Sequence, residues 1–223
     1  MLRNARFAVA AGLLVTLLAA GCTNASQPPA SPEARVESPS PPGPEAGAQA
    51  GATAAPAPGV PQQPLAVEQS PPGDIPDNQA FVPYRSTAGF QVSVPEGWAR
   101  TESGDTASFT DKLNVVSMTW AKAATAPTVA SVRAQDAPNL QSRLPAFELE
   151  AVKQVKLPAG EAVLLTYRQN GEPNAVTGKA YRLDASRFVF FRNGTRVDLV
   201  LTSPAGADNV DPWRTISESF RWR

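Results

Sequence analysis

Histidine is absent from this chain of 223 residues, and its absence excludes several kinds of active site. A Ser-His or Cys-His nucleophile pair, an imidazole metal site and a histidine pH switch all need that ring. Cysteine occurs once, so no disulfide bond can form within the chain. The formal net charge is zero, with 20 basic and 20 acidic residues. The chain therefore offers no excess of positive charge to attract nucleic acid.

Proline and aromatic residues are distributed unevenly, and they divide the chain into three parts. Residues 22–78 contain 14 of the 23 prolines, whereas residues 79–223 contain the other 9. All four tryptophans and eight of the nine phenylalanines lie after residue 78. The sequence therefore predicts a leader over 1–21, a disordered tether rich in proline and alanine over 22–78, and one globular domain over 79–223.

The leader has the form of a signal peptide and ends at the only cysteine. Arg3 and Arg6 precede an apolar run over 7–20, which is too short to span a membrane as a helix. The residues that follow are Leu18-Ala19-Ala20-Gly21-Cys22. They resemble the lipobox of bacterial lipoproteins, which implies a diacylglyceryl group on the Cys22 sulfur.

A lipid on Cys22 would decide where the protein is found. Two acyl chains hold a protein stably at a membrane, where one chain would exchange. We therefore predict attachment to the cell membrane through Cys22, with the domain on the extracytoplasmic side. The alternative is an ordinary secretory signal, whose cleavage would leave a free thiol.

Several strands are predicted in the domain. Two apolar runs joined by Asn193-Gly194 predict a β-hairpin over 187–201, because both turn positions favour positive φ. Both faces of its first strand are apolar, which is typical of a central strand covered on each side. Further strands are predicted at 81–84, 90–94, 114–120, 147–157, 161–167 and 178–183.

Few helices are expected. Residues 127–136 can form one, and Pro138 is expected to end or kink it. In a C-terminal helix, Asp211 is predicted to act as the cap, followed by Pro212. The apolar stripe of this helix consists of Val210, Trp213, Ile216 and Phe220. An antiparallel sheet with a few helices packed on it is an α+β fold.

Two stretches of the domain resemble the PsbP-like superfamily. They are GFQVSVPEGW at 89–98 and DNVDPWRTISESFR at 208–221. With its lipobox and tether, the chain is most similar to the LpqN-type lipoproteins of actinobacteria. The resemblance implies an α/β/α sandwich around a central antiparallel sheet, in a module that binds or assembles without catalysis. It implies no cofactor, catalytic residue or metal site for this chain.

Carboxylates are the acid–base groups that the sequence leaves available. Glu148 and Glu150 lie two residues apart on a predicted strand, and hence on one face. They form either a solvated strand face or the pair of a hydrolase acting on an envelope polymer. Asp208 and Asp211 offer oxygen ligands for calcium, although a helix cap accounts for Asp211.

Two sets of larger side chains have a structural and a functional interpretation. The tryptophans form either part of the core or a cleft for a lipid or other hydrophobic ligand; they are Trp98, Trp120, Trp213 and Trp222. The arginines near the hairpin are either solvated strand ends or a surface for anionic headgroups or an acidic partner; they are Arg182, Arg187, Arg192 and Arg196.

These observations favour a non-catalytic binding or scaffolding module of the cell envelope. We expect it to be a monomer whose partner is an envelope protein or a lipid. A carboxylate-dependent hydrolase, a lipid carrier and a simple spacer domain are the alternatives.

Overall fold

The computed structural model describes residues 62–174 and 176–223, and within them it contains ten strands and two helical segments. The strands are β1 (Phe81–Arg85), β2 (Phe90–Pro95), β3 (Ala99–Ser103), β4 (Thr106–Asp111), β5 (Asn114–Lys122), β6 (Glu148–Leu157), β7 (Gly160–Asn170), β8 (Arg182–Arg192), β9 (Thr195–Pro204) and β10 (Arg221–Trp222). Seven of them form one sheet in the order β3-β4-β5-β9-β8-β7-β6, and three form a small sheet in the order β1-β2-β10. Every pair of neighbouring strands is antiparallel. The predicted α+β class is confirmed.

The hairpin of β8 and β9 forms as the sequence predicts. Arg192 pairs with Thr195, so Asn193 and Gly194 alone make the turn, with φ of 49° and 72°. A two-residue turn with positive φ at both positions matches the twist of the strands that it joins. The strands are neighbours near the middle of the seven-stranded sheet, where apolar side chains are buried on both faces.

The two faces of the large sheet belong to two separate cores. Phe188, Phe190, Leu199 and Leu201 belong to the first core, together with side chains of the small sheet and the C-terminal helix. The second core lies on the opposite face of the sheet, under the first helical segment; its buried members are Val132, Ala137, Leu140, Val152, Val163, Leu165, Tyr167, Ala185 and Val189. The sheet is therefore the middle layer of a sandwich.

The first helical segment has three parts. They are an α-helical turn at Val129–Ser131, a π-helical turn at Val132–Asp136 and an α-helical turn at Ala137–Gln141. The backbone N–H of Ala137 donates to the Val132 carbonyl, which makes a wider turn directly before Pro138. Of the two predicted effects of Pro138, an end to the helix does not occur, and the irregularity lies in the π-helical turn before it. A wider turn relieves the contact that a proline ring makes with the preceding turn, so the helix continues.

The C-terminal helix begins earlier than predicted. It spans Val210–Ser219, and the N–H of Trp213 bonds to the Asn209 carbonyl at 3.0 Å, so Asn209 stands at the N-cap position. The predicted cap at Asp211 is therefore wrong. Within the predicted stripe Val210 is 65% exposed, whereas Ile216 and Phe220 are fully buried.

Two strand predictions also need correction. The strands β3 and β4 were not predicted: β3 (ARTES) is polar and exposed throughout, and β4 (TASFTD) has only Ala107 and Phe109 as buried apolar residues. The separate strand at 178–183 does not form. Instead β8 is one strand of eleven residues that begins at Arg182, and the loop before it bonds to Gly171 through the Tyr181 carbonyl.

Residues 62–78, called the strap below, contact the domain. The predicted disorder extends over this segment, but the N–H of Leu65 bonds to Asn170 Oδ1 at 3.0 Å and that of Ile75 to Asn209 Oδ1 at 2.8 Å. The Ile75 side chain is 5% exposed. The packed part of the chain therefore begins before Gln79. The rest of the predicted tether lies outside the described residues.

The first core predicts a large loss of stability when Phe220 is truncated. Phe220→Ala removes a fully buried ring and should lower the free energy of unfolding by about 3–5 kcal/mol. Val210→Ala, at an exposed position at the start of the C-terminal helix, should change it by less than about 0.5 kcal/mol. Urea denaturation of the two variants measures both values, and equal losses would contradict the assignment of Phe220 to the core.

Candidate functional site

A cleft of about 560 Å³ lies at the end of the large sheet where the Asn193-Gly194 turn is found. The β1–β2 turn, the β3–β4 turn, the end of β5 and the start of β9 surround it. Its lining residues are Thr87, Ala88, Gly89, Asp105, Trp120, Ala121, Lys122 and Thr195. Ligand sites in proteins have volumes of about 300–1,000 Å³, so this cleft is large enough for a small molecule or a loop of another protein.

Trp120 is the aromatic wall of the cleft. Its ring packs against the buried Phe90 ring with the centroids 5.5 Å apart, so the indole is supported from the core side. The Trp120 backbone N–H bonds to the Asp105 carbonyl at 3.0 Å, which fixes the β3–β4 turn beside it. Lys122 Nζ donates to Thr195 Oγ1 at 3.2 Å. The cleft therefore combines an aromatic surface with a carboxylate, an ammonium group and hydroxyls.

The other three tryptophans do not join Trp120 in a cleft wall. Trp98, Trp213 and Trp222 are partly buried, and each packs against the first core. Trp222, for example, meets the buried Phe220 ring edge-on at 5.2 Å. The hypothesis of a cleft built from all four tryptophans is wrong, because they lie on two strands, a helix and the β2–β3 turn around one core.

Glu148 and Glu150 are each paired with a different arginine. Glu148 bonds to Arg182 at 2.9 Å, and Glu150 contacts Arg168 at 3.2 Å. A β-bulge sets Glu150 out of register, since Leu149 pairs with Tyr167 and Ala151 with Thr166. The two carboxylates therefore do not form the facing pair that the hydrolase hypothesis requires.

Two of the four arginines near the hairpin form a cluster with two aspartates on the face of the sheet under the first helical segment. Asp198 bonds to Arg187 at 3.1 Å and to Arg196 at 2.9 Å. Asp136, in the helical segment, bonds to Arg196 at 2.8 Å. All four side chains are at most 23% exposed. The cluster ties the helical segment to the sheet.

The hypothesis of a surface of four arginines is therefore wrong. Arg187 and Arg196 are bonded inside the cluster, and Arg182 lies at the opposite end of β8, where its side chain is 2% exposed. Arg192 alone is exposed beside the turn. An arginine in a strand that is covered on both sides can stay charged only by pairing within the fold.

Asp208 and Asp211 are not assembled into a calcium site. Asp211 is 82% exposed and bonds to Arg214 at 2.8 Å, while the Asp208 backbone N–H donates to Asp74 Oδ1. Within residues 62–174 and 176–223, no group of three or more carboxylate, histidine or cysteine side chains could hold a metal ion.

The predicted lipid site, Cys22, lies outside the described residues, so lipidation stays a prediction. Among the helices that the structure does describe, none has the length and apolar character needed to cross a membrane.

Asp136 and three asparagines were not predicted from the sequence as functional residues. Asp136 is 60 residues from Arg196 along the chain, and only the packing of the helical segment on the sheet brings them together. Asn114, Asn170 and Asn209 are buried and bond to the strap, and nothing in their local sequence distinguishes them from turn residues. Asp198 is a charged residue within a strand that is apolar on both faces. Its position was the one feature of the sequence that indicated a buried ion pair.

Comparisons with known proteins find matches among solved structures. No family model and no curated protein matches the sequence. Cyanobacterial PsbP (CyanoP) from Synechocystis matches with a TM-score of 0.49 and 17% identity over 69% of this chain and 100% of that one. LpqN from Mycobacterium tuberculosis, described as involved in cell envelope biogenesis, matches with a TM-score of 0.42 and 15% identity over 65% and 91% of the two chains. Matches this distant identify neither a ligand nor an activity.

Tyr84 is held by a contact between the two sheets. Its side chain is 5% exposed, and the Arg100 guanidinium lies 5.1 Å from the centre of its ring. Burial, aided by a hydrogen bond to the Glu102 carboxylate, raises the pKa of Tyr84 to about 12 from an ordinary value of 10.0. Burial and the Glu102 carboxylate therefore stabilise the neutral phenol, against the smaller opposite effect of the Arg100 charge.

The ion-pair cluster predicts a large effect for Asp198→Ala. After this change the two partly buried arginines, Arg187 and Arg196, share a single carboxylate, that of Asp136. The loss of Asp198 should lower the free energy of unfolding by about 3–5 kcal/mol. Asp184→Ala removes the more exposed partner of Arg168 and should cost at most about 1 kcal/mol. Chemical denaturation measures both, and a loss for Asp198→Ala no larger than that of the control would contradict the cluster's role.

Tyr84 predicts a loss of stability at high pH. Because its folded pKa is raised, its contribution is complete below pH 10.0, the ordinary value, and is lost as the pH rises to about 12. The ultraviolet absorbance of phenolate should show a transition near pH 12 that loses amplitude in Tyr84→Phe and keeps it in Tyr181→Phe, while Tyr167, whose pKa burial also raises, titrates in both variants. An unchanged curve near pH 12 in the Tyr84→Phe protein would contradict the assignment.

Proposed function

We propose that this chain is a bacterial lipoprotein whose globular domain acts as a non-catalytic binding or scaffolding module on the extracytoplasmic side of the cell membrane. A diacylglyceryl group on Cys22 attaches it, and the proline-rich residues that follow hold the domain away from the lipid. The domain acts as a monomer, and its partner is an envelope protein or a lipid.

The observation that supports the attachment is the sequence Leu18-Ala19-Ala20-Gly21-Cys22 after an apolar run with a basic start. Each buried methylene group contributes about 0.8 kcal/mol, so two acyl chains are sufficient for stable anchoring. The residues between Cys22 and the strap are rich in proline and alanine, a composition suited to a tether. Such a tether gives the domain access to partners around its point of attachment.

Two features support a binding role. The candidate catalytic carboxylates Glu148 and Glu150 are engaged by arginines, and the chain has no histidine that could act as a near-neutral base. The cleft beside Trp120 offers an aromatic surface, one acidic and one basic side chain, and hydroxyls. We propose this cleft as the contact site for the partner, because aromatic surfaces with a few polar groups are typical of binding sites.

The attachment predicts that Cys22→Ser releases the protein from the membrane. In the original host, the wild-type protein should sediment with membranes, resist a high-salt wash and incorporate labelled palmitate. The Cys22→Ser protein should lose the label, because serine has no thiol for the acyl-glyceryl group. Ala25→Ser, just outside the lipobox, should behave like wild type.

Two results would contradict the attachment. One is a Cys22→Ser protein that stays in the washed membrane fraction. The other is a mature wild-type protein whose N-terminal peptide has the mass of an unmodified chain.

A further inference from the structure

Three asparagines are buried at the end of the sheet opposite the Trp120 cleft. Asn114, Asn170 and Asn209 are 2%, 4% and 1% exposed. Asn114 begins β5, Asn170 ends β7, and Asn209 precedes the C-terminal helix. A buried amide group needs hydrogen-bond partners, and here the backbone of the strap supplies most of them.

Residues 73–75 of the strap are held through their main chain. The Gly73 carbonyl accepts hydrogen bonds from Asn114 Nδ2 at 2.7 Å and from Asn209 Nδ2 at 3.0 Å. The Ile75 N–H donates to Asn209 Oδ1 at 2.8 Å. The Asn209 side chain therefore donates to the carbonyl of Gly73 and accepts from the N–H of Ile75, two positions later. Main-chain bonding of this kind is how many domains hold a peptide.

Three side-chain features select the sequence at these positions. Gly73 has φ of +122°, and a Cβ atom there would lie 3.0 Å from Pro204 Cδ, so only glycine fits without strain. The Ile75 side chain is 5% exposed, and Asp74 Oδ1 accepts the Asp208 N–H at 2.9 Å. The site therefore selects a glycine followed two residues later by a buried aliphatic side chain.

The earlier part of the strap is held more loosely. Asn170 donates to the Gln63 carbonyl at 2.9 Å and accepts from Leu65, and Glu68 pairs with Lys179 at 2.7 Å. The Leu65 and Val67 side chains are exposed. Of the large apolar side chains in the strap, Ile75 alone is buried. A segment with so little buried apolar surface can open without unfolding the sheet.

We propose that this end of the sheet is a peptide-recognition site and that residues 73–75 are its resident ligand. The strap leaves the site by local opening, and another extended peptide with a glycine two residues before an aliphatic side chain can then take its place. The proposal does not depend on lipidation of Cys22 or on the Trp120 cleft.

The first experiment measures amide hydrogen exchange in the full wild-type chain. We expect the amides of Leu65 and Ile75 to exchange at least tenfold faster than those of β8 and β9, because strap opening does not require the sheet to open. Exchange of the strap amides only at the rate of the slowest sheet amides would overturn the proposal, since the strap would then leave only on global unfolding.

The second experiment supplies the ligand in trans. The full-length Gly73→Val protein should release its own strap, and a labelled synthetic peptide with the sequence of residues 69–79 should bind it saturably. Wild type should bind the peptide at least tenfold more weakly, because its own strap competes. The Gly73→Val/Asn209→Ala protein should not bind, and neither should a peptide with Val at the Gly73 position.

Each outcome of the peptide experiment either supports or contradicts the proposal. A Gly73→Val protein with a native circular dichroism spectrum but no peptide binding at millimolar concentration would overturn the proposal. Mixed dimers of the Gly73→Val protein and wild type would also support the proposal if the peptide dissociates them. In such a dimer the strap of the wild-type copy would occupy the site of the variant. If Gly73→Val does not fold, excess peptide added to wild type should accelerate exchange of the Ile75 amide, and no acceleration would overturn the proposal.

Discussion

The Phe220 ring lies where the two sheets and the C-terminal helix meet. It is parallel to the ring of Phe190 in the large sheet, with centroids 3.9 Å apart, and stacks on Phe90 of the small sheet at 5.4 Å. The helix ends at the preceding residue, Ser219, and the chain continues directly into β10. Because β10 pairs with β2 through only two residues, burial of the Phe220 ring beside it helps to hold β10 against the small sheet. The Trp120 wall of the cleft rests on the same Phe90 ring, so the shape of the cleft also depends on this stack.

The elements that could be predicted from the sequence are those whose determinants lie close together in the chain. The Asn193-Gly194 hairpin was predictable because turn chemistry and apolar runs occur within a few residues of one another. The polar strand β3 was not, because its pairing with β4 depends on the neighbouring strands and not on its own side chains. The helix through Pro138 was not predictable either. It depends on a π-helical turn for which these residues give no local signal.

The candidate sites depended even more on contacts that are distant in sequence. The sequence shows Arg187 and Arg196 near a turn, where they suggest a charged surface, but the structure pairs them with Asp136 beneath a helix. The order of the strap also depends on contacts that are distant in sequence. Its composition predicted disorder, and it is ordered because asparagines more than 40 residues away bond its backbone, as Asn114 does to Gly73. Amino-acid composition measures how much apolar surface a segment can bury, but it does not count main-chain hydrogen bonds supplied by another part of the chain.

Strand β6 has a consequence for how copies of this protein behave side by side. It stands at one edge of the large sheet, and an edge of ten residues is a template on which another chain can add a strand and begin an aggregate. The bulge at Glu150 interrupts its backbone spacing, and Lys153 and Lys156 are exposed beside it. The bulge limits the length over which a second strand could align with this edge. The irregular β6 edge therefore disfavours strand addition at this side of the large sheet when copies of the domain lie close together.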